Sequence, residues 1–342
     1  MNTRKVQRLG QSTLAMTLPA QWVKKQGVCK GDELTIQSSE RGILTVVTES
    51  SNGTGTEATI HTQDLDKPAL ERAIIGQYVL GRQVITIQSD TDLTSEQIAA
   101  IYAAERQLMG LGVIEETPTA ISVRCSVDSE DFTINNMIER LENTGATMRG
   151  EAIKALLHGN PELAQRAINR ERQANKIFVL LLRLIFTSYQ NPRQIKSVGL
   201  DKGLPLIGYR SVAKNLELIA DNAEDIAEIV IQADSNKLAV DTATLREITD
   251  FCTQVDDLSS LAIEAVISQD YDLYLQCLEQ FQAIEKAERT ILSELSELEN
   301  TELLQVRQVL VSLHHTAEYA MRNAEIAANF ALNHDSKYLT IC

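Results

Sequence analysis

Long apolar runs, paired cysteines and aromatic residues are what this sequence has least of. No uninterrupted hydrophobic stretch nears the roughly 18 residues that a membrane span needs, so no membrane insertion is expected. The five cysteines (Cys29, Cys125, Cys252, Cys277 and Cys342) are scattered, without a Cys-x-x-Cys pair or a neighbouring histidine. That spacing argues against a zinc site or a disulfide framework and leaves free thiols, the buried state being usual for them. Aromatics make up only 4% of the chain. A phosphate-cradling loop, a Gly-x-Ser-x-Gly elbow and a His-Glu-x-x-His pair are all missing, so a non-enzymatic role is expected. No apolar leader follows Met1-Asn2-Thr3-Arg4-Lys5, which points to a cytoplasmic protein.

The most informative absence is local. Residues 1–31 contain no acidic side chain but six basic ones: Arg4, Lys5, Arg8, Lys24, Lys25 and Lys30. Of 32 basic and 47 acidic residues in the 342-residue chain, the remainder therefore holds 26 basic and all 47 acidic. A positive tip on a negative body is the electrostatic footprint of contact with a polyanion at one end only. The alternative is six cations that merely solvate a small surface.

Residues 1–50 divide into short elements. Arg4 to Leu9 reads as one strand closed by Gly10, and Thr13 to Leu18 as a half-buried second strand, with Leu14, Met16 and Leu18 on one side. Pro19 suits the first position of a helix and Gly27 its end, leaving Ala20 to Gln26 as two helical turns. Glu33–Gln37 and Ile43–Thr48 read as a hairpin through Glu40-Arg41-Gly42. So small a unit buries little core alone and calls for a partner, most simply a second copy.

Lys5-Val6-Gln7-Arg8-Leu9-Gly10-Gln11-Ser12, Thr17-Leu18-Pro19-Ala20-Gln21-Trp22 and Gly27-Val28-Cys29-Lys30-Gly31-Asp32-Glu33-Leu34 together resemble the AbrB/SpoVT swapped-hairpin family over about 45 residues. Leu18 stands where that family usually has Ile. The resemblance implies an intertwined homodimer that lays basic β-ribbons on DNA. Carried over by position, the DNA contacts are Arg4, Lys5 and Arg8 on the first strand and Lys24 and Lys25 at the helix. Phosphate neutralisation by Lys and Arg, with release of counterions, is the physical requirement they meet.

Ser50 to Thr56 is rich in Gly, Ser and Thr, and a linker is expected over residues 51–63. Residues 64–128 read in the order α-β-α-β-β, a small α+β segment: helix 69–80, strand 84–87, a helix to about Met109 capped by Thr94 or Ser95, then a hairpin through Thr117-Pro118. From Asp131 onwards six helical stretches are expected, at about 131–158, 161–189, 208–233, 241–268, 271–298 and 301–333. They form an internal repeat with a period of about 105 residues, two tandem three-helix bundles at 129–235 and 236–335. A Pro- and Gly-rich break between Asn191 and Gly208, with Arg193, Lys196 and Lys202, has the length of a partner surface. The expected fold is thus multidomain and mainly α: a small swapped-hairpin β domain, a short α+β segment, then two bundles.

On the third helix, Val212, Leu216, Ile219, Ala223, Ile226 and Val230 make a core stripe. Glu217, Asp221, Glu224 and Glu228 step along an adjacent face, where like charges a turn apart repel mildly. A hard cation would offset that repulsion, since carboxylates suit divalent metals; a plain solvated face is the alternative. Glu217-Leu218-Ile219-Ala220-Asp221-Asn222-Ala223 with Ile226-Ala227-Glu228-Ile229 aligns with His314-His315-Thr316-Ala317-Glu318-Tyr319-Ala320 with Asn323-Ala324-Glu325-Ile326. This pattern resembles PhoU, the phosphate-uptake regulator family, over about 200 residues. A second family motif, acid-x-x-x-Asp, survives as Glu171-x-x-x-Asn175.

The resemblance implies a divalent or iron-type metal ion held by Glu171, Glu217, Asp221, His314 and Glu318, with no other cofactor. His314 and Glu318 read equally as a plain hydrogen-bonded pair. An AbrB-type tip before PhoU-like helices resembles certain archaeal PhoU-like proteins. It implies a homodimeric DNA-binding regulator of phosphate uptake, acting on promoter DNA as a repressor. Two alternatives stay open: a cytosolic adaptor for phosphate ABC transporter components, with the basic tip serving only dimerisation, and an antitoxin-like binder of a toxin.

Overall fold

The computed structural model describes residues 3–10, 12–38, 42, 44–48, 56–127, 131–200, 203–232, 242–294, 300–333 and 337–340. The chain divides into two compact units, Met1–Glu57 and Ala58–Cys342.

In the first unit β1 (Gln7–Leu9) pairs antiparallel with β2 (Thr13–Ala15), and β3 (Leu34–Ser38) with β4 (Leu44–Thr48). Between them lies α1 (Ala20–Gln26), preceded by Pro19 and closed by Gly27 in the left-handed conformation. The first two strands are shorter than expected, and Leu14 and Met16 are 69% and 53% exposed rather than half-buried. The reason is physical: two three-residue strands and a two-turn helix are too small to cover those side chains themselves, and α1 has no buried residue. The tip of the second hairpin, at residues 39–41, lies outside the described residues.

The second unit begins where a linker was expected. Residues 51–55 lie outside the described residues, but Glu57–His61 is a strand, β5. Its Ile60 is buried and its neighbours exposed, the alternation of an edge strand. The segment continues as α2 (Lys67–Val79), β6 (Val84–Gln88), α3 (Ser95–Gln107), β7 (Leu111–Glu116) and β8 (Ala120–Cys125). The order is therefore β-α-β-α-β-β, in a sheet β5-β6-β8-β7 with β8 antiparallel to both neighbours. Asp66 caps α2, and Thr94 with Gln97 forms a complete capping box on α3.

Six long helices follow: α4 (Ile134–His158), α5 (Pro161–Gln190), α6 (Pro205–Gln232), α7 (Thr242–Ser268), α8 (Tyr271–Glu294) and α9 (Asn300–Ala331). Gly159 ends α4 in the left-handed conformation; Asn160 and Pro161 start α5 one residue later, a two-residue corner. Helices α4, α5 and α6 pack on one another, as do α7, α8 and α9, giving the two three-helix bundles. The bundles join through α6 on α9 and α4 on α7. The fold is mainly α, as the periodicity indicates.

Helices α6 and α9 run antiparallel, with Asn215 bonded to Asn323 at 2.8 Å and Asn222 donating to Thr316 at 3.2 Å. Gly208 lets them approach at one end, where a Cβ would collide with Phe330 and Ile326. The apolar interior forms two clusters that cut across the bundles. One joins the sheet segment, the first half of α4, the second half of α5 and the first part of α6 to Ile263 and Val266 of α7 and Ala327 of α9. The other joins the end of α4, the start of α5 and the end of α6 to the rest of the second bundle. Arg149 on α4 and Asn222 on α6 lie where one cluster gives way to the other.

Candidate nucleic-acid interface and carboxylate face

Arg4 and Lys5 precede β1, Arg8 lies on it, and Lys24 and Lys25 occupy the last turn of α1. All five side chains are exposed. The two lysines sit at the negative end of the helix dipole, which favours them there. The turn after α1 is held by Asp32, whose carboxylate accepts the backbone N–H of Cys29 at 2.7 Å, while Gly31 takes a φ of 104°. The Gly-Asp pair thus fixes the corner leading into β3.

In the body, Val212, Leu216, Ile219, Ala223, Ile226 and Val230 are all buried, the stripe read from the sequence. Glu217 and Asp221 are half-buried beside it, and Glu217 is ion-paired with Lys214. Glu171 of α5 reaches the same face and accepts a hydrogen bond from Asn175. Burial, then the neighbouring Glu217, pushes Asp221 up to about 6. Burial, then Glu171, Glu228 and Asp221, pushes Glu224 up to about 7. Glu171 is raised for the same reasons, burial first and Glu217 after it, against the opposing pull of Arg172. The structure brings Glu171, Glu217 and Asp221 within electrostatic reach of one another.

His314 and Glu318 form a different arrangement. The His314 ring sets Nδ1 2.8 Å from Glu288 of α8 and Nε2 3.6 Å from Glu318, which also pairs with Arg322. The two carboxylates lie off opposite ring nitrogens, a chain rather than a cage. Among the described residues no three His, Cys, Asp or Glu side chains are placed to hold a metal ion, so the five expected ligands do not fit one together.

Two charged groups central to the body were not singled out from the sequence. Arg149 is fully buried; its Nε donates to Asp256 of α7 at 2.6 Å and its Nη2 to Glu142 at 3.3 Å. It ties the two bundles by charge. Its signal was present: Glu142 and Arg149 stand seven residues apart on the buried face of α4, in register with Leu141 and Met148. Arg183 of α5, also buried, donates to the carbonyls of Tyr78, Gly81 and Arg82, capping the end of α2, and stacks 4.8 Å from the Tyr78 ring centre. It pins the α+β segment to the first bundle.

Comparison with known proteins follows these divisions. Residues 138–230 match the PhoU domain model, and residues 7–53 match the model of MazE, an antidote-toxin recognition protein and bacterial antitoxin. The chain thus carries a PhoU domain in its first bundle and a MazE/AbrB-like segment at its start. No curated protein matches it. Two solved structures are similar. The phosphate transport system regulatory protein PhoU from Streptococcus pneumoniae aligns at 15% identity and a TM-score of 0.49, over 59% of this chain and 94% of that one. PhoU from Pseudomonas aeruginosa aligns at 20% identity and a TM-score of 0.44, over 58% and 94%. Among the described residues no helix is long and apolar enough to cross a membrane.

Proposed function

We propose that this chain is a DNA-binding regulator of phosphate uptake, in which two copies of the N-terminal unit form the DNA grip and the PhoU-type body receives the signal. The observation that carries this reading is the pairing of a PhoU domain with a MazE/AbrB-like unit bearing six exposed cations and no acid through residue 31. Val6, Leu9, Leu14 and Met16 of that unit, each more than half exposed, support a homodimer. The role is regulatory rather than catalytic.

A gel shift with DNA from upstream of its own gene, titrated with salt, tests the reading. Binding should fall steeply with salt and vanish when residues 1–50 are removed. A full-length protein that ignores this DNA at low salt leaves the adaptor reading, in which the PhoU domain modulates transporter components without DNA. The MazE match also admits a toxin as partner of the first unit. A divalent or iron-type metal at Glu171, Glu217 and Asp221 is a separate proposal that rests on donor chemistry alone, their placement here not gathering the three round one ion. Native mass spectrometry decides it: metal lost on Glu217→Ala with Asp221→Ala supports the site, and a bare chain rejects it.

A further inference from the structure

We propose that the outward face shared by α5 and α6 is a docking groove for an amphipathic helix of a partner protein, apolar at one end and rich in Lys and Arg at the other. The inference rests neither on DNA binding nor on a metal.

Helical spacing places Glu171, Phe178, Leu182, Phe186 and Tyr189 along one stripe of α5, with successive steps of seven, four, four and three residues. Ile207, Lys214, Asp221 and Glu224 make the facing stripe of α6. The two helices pack together, and their antiparallel register is fixed at two points. The Lys214 ammonium lies 5.8 Å from the centre of the Phe178 ring, and the charge of Glu171 is felt by both Asp221 and Glu224. Carried on by whole turns, this register brings Ile207 opposite Phe186.

At that end the face is apolar and open: Phe186 is 37% exposed, Ile207 66% and Tyr189 73%. Single exposed apolar side chains are ordinary, but three large ones within two turns of a shared helix end form a patch. At the other end Glu171, Asp221 and Glu224 crowd together half-buried, while Lys214 is committed to Glu217. One end is therefore stabilised by covering apolar surface and the other by receiving cations. From Ile207 to Glu224 a helix advances about 25 Å, the length of a five-turn partner helix.

Charge selects the class of occupant. The carboxylate end repels nucleic acid and anionic lipid alike. A second copy fits poorly as well, because two-fold pairing of this face sets acid on acid in one orientation and acid on apolar in the other. A helix with apolar anchors followed by Lys or Arg a few turns on satisfies both ends, the helix-in-groove mode of recognition.

Fluorescence anisotropy with the full-length protein in EDTA tests this. The probe is a labelled 18-residue helical peptide with Leu, Leu and Phe at positions 1, 5 and 8 and Lys at 12, 15 and 16, set against a scrambled peptide of identical composition. The ordered peptide should bind about tenfold more tightly than the scrambled one. Ile207→Glu should weaken it about tenfold at any salt concentration, whereas Glu171→Gln with Glu224→Gln should weaken it chiefly at low salt. Ile207 and Glu224 variants are checked for an unchanged circular dichroism spectrum. Equal binding of the two peptides, or undiminished binding by Ile207→Glu, overturns the proposal. So does a fall in sedimentation coefficient on Ile207→Glu, which would assign the face to a second copy.

Discussion

Val6, Leu9, Leu14, Met16, Ile36 and Leu44 stand more than half exposed in the N-terminal unit, whereas α4, α5 and α6 bury their apolar stripes almost completely. Both regions follow their local rules: alternation in the strands, a 3.6-residue period in the helices. What separates them is length. A three-residue strand has one or two inward positions, too few to close a core with its hairpin partner. A 25-residue helix presents a stripe long enough to close a core with its own neighbours. The first region leaves its apolar side chains uncovered within its own unit, and the second closes over its own.

Breaking the first arrangement should have the largest effect. Leu14→Asp with Met16→Asp is expected to abolish both self-association and DNA binding, read by analytical ultracentrifugation and gel shift, while leaving the helical circular dichroism signal of the body intact. Dimerisation that survives this double change would relocate the interface to the body.

Next in size is a break within the body. Arg149→Ala strands Glu142 and Asp256 and should cost about 3–5 kcal/mol in denaturant unfolding. Arg149→Met with Glu142→Leu removes the two most buried charges and leaves only Asp256, whose side chain is 32% exposed, so most of that loss should be recovered. A double variant as unstable as Arg149→Ala would mean that the arginine matters through its shape.

A milder change sharpens the electrostatic side. Lys24→Gln with Lys25→Gln should lower the slope of log affinity against log salt by about 1.8, as expected for two lost phosphate contacts. An unchanged slope would place these lysines off the DNA.

The smallest effect is a pH dependence in the body. Asp221 and Glu224 hold protons more tightly when folded than unfolded, so the folded state binds more protons between the ordinary carboxylate range and about 7. Their contribution to stability therefore falls as pH rises through that window and stays flat above it. Glu224→Gln should raise the melting temperature at pH 8 and flatten the profile between pH 5 and 7. Glu151 acts oppositely. The side-chain hydrogen bond from Arg170 lowers it, so its contribution is present above the ordinary carboxylate value and is lost as pH falls through the depressed one. A variant whose profile matches the parent would show that these carboxylates are fully solvated.

Much of this arrangement could be read from the residues. The core stripe of α6 and the helix borders at Gly159, Asn160 and Pro161 follow from periodicity and capping alone. Strand β5 was obscured because the Gly/Ser/Thr run before it continues smoothly in composition, and only Ala58 and Ile60 carry the alternation. At the candidate site, helical spacing located Glu217 and Asp221 on one face. It carried no information on what lies across from them, so the approach of Glu171 to Asp221 and the pairing of His314 with Glu288 had to come from packing. Arg149 was hidden for another reason. A buried guanidinium is so costly that a charged residue in an apolar stripe is naturally read as an interruption of the stripe, and its partner Asp256 is 107 residues away.

The oblique division of the interior bears on how such a chain can be taken apart. Each apolar cluster draws side chains from both bundles, so a cut in the segment between α6 and α7 would open two half-finished interiors instead of releasing two finished modules. The stretch matched by the PhoU model, expressed by itself, would leave the ends of α4 and α6 without Val255, Leu310 and Leu313 to cover them. The sequence duplicates a three-helix pattern, yet the indivisible physical object is the six-helix pair, and recombination that reshuffles one repeat must carry the other along.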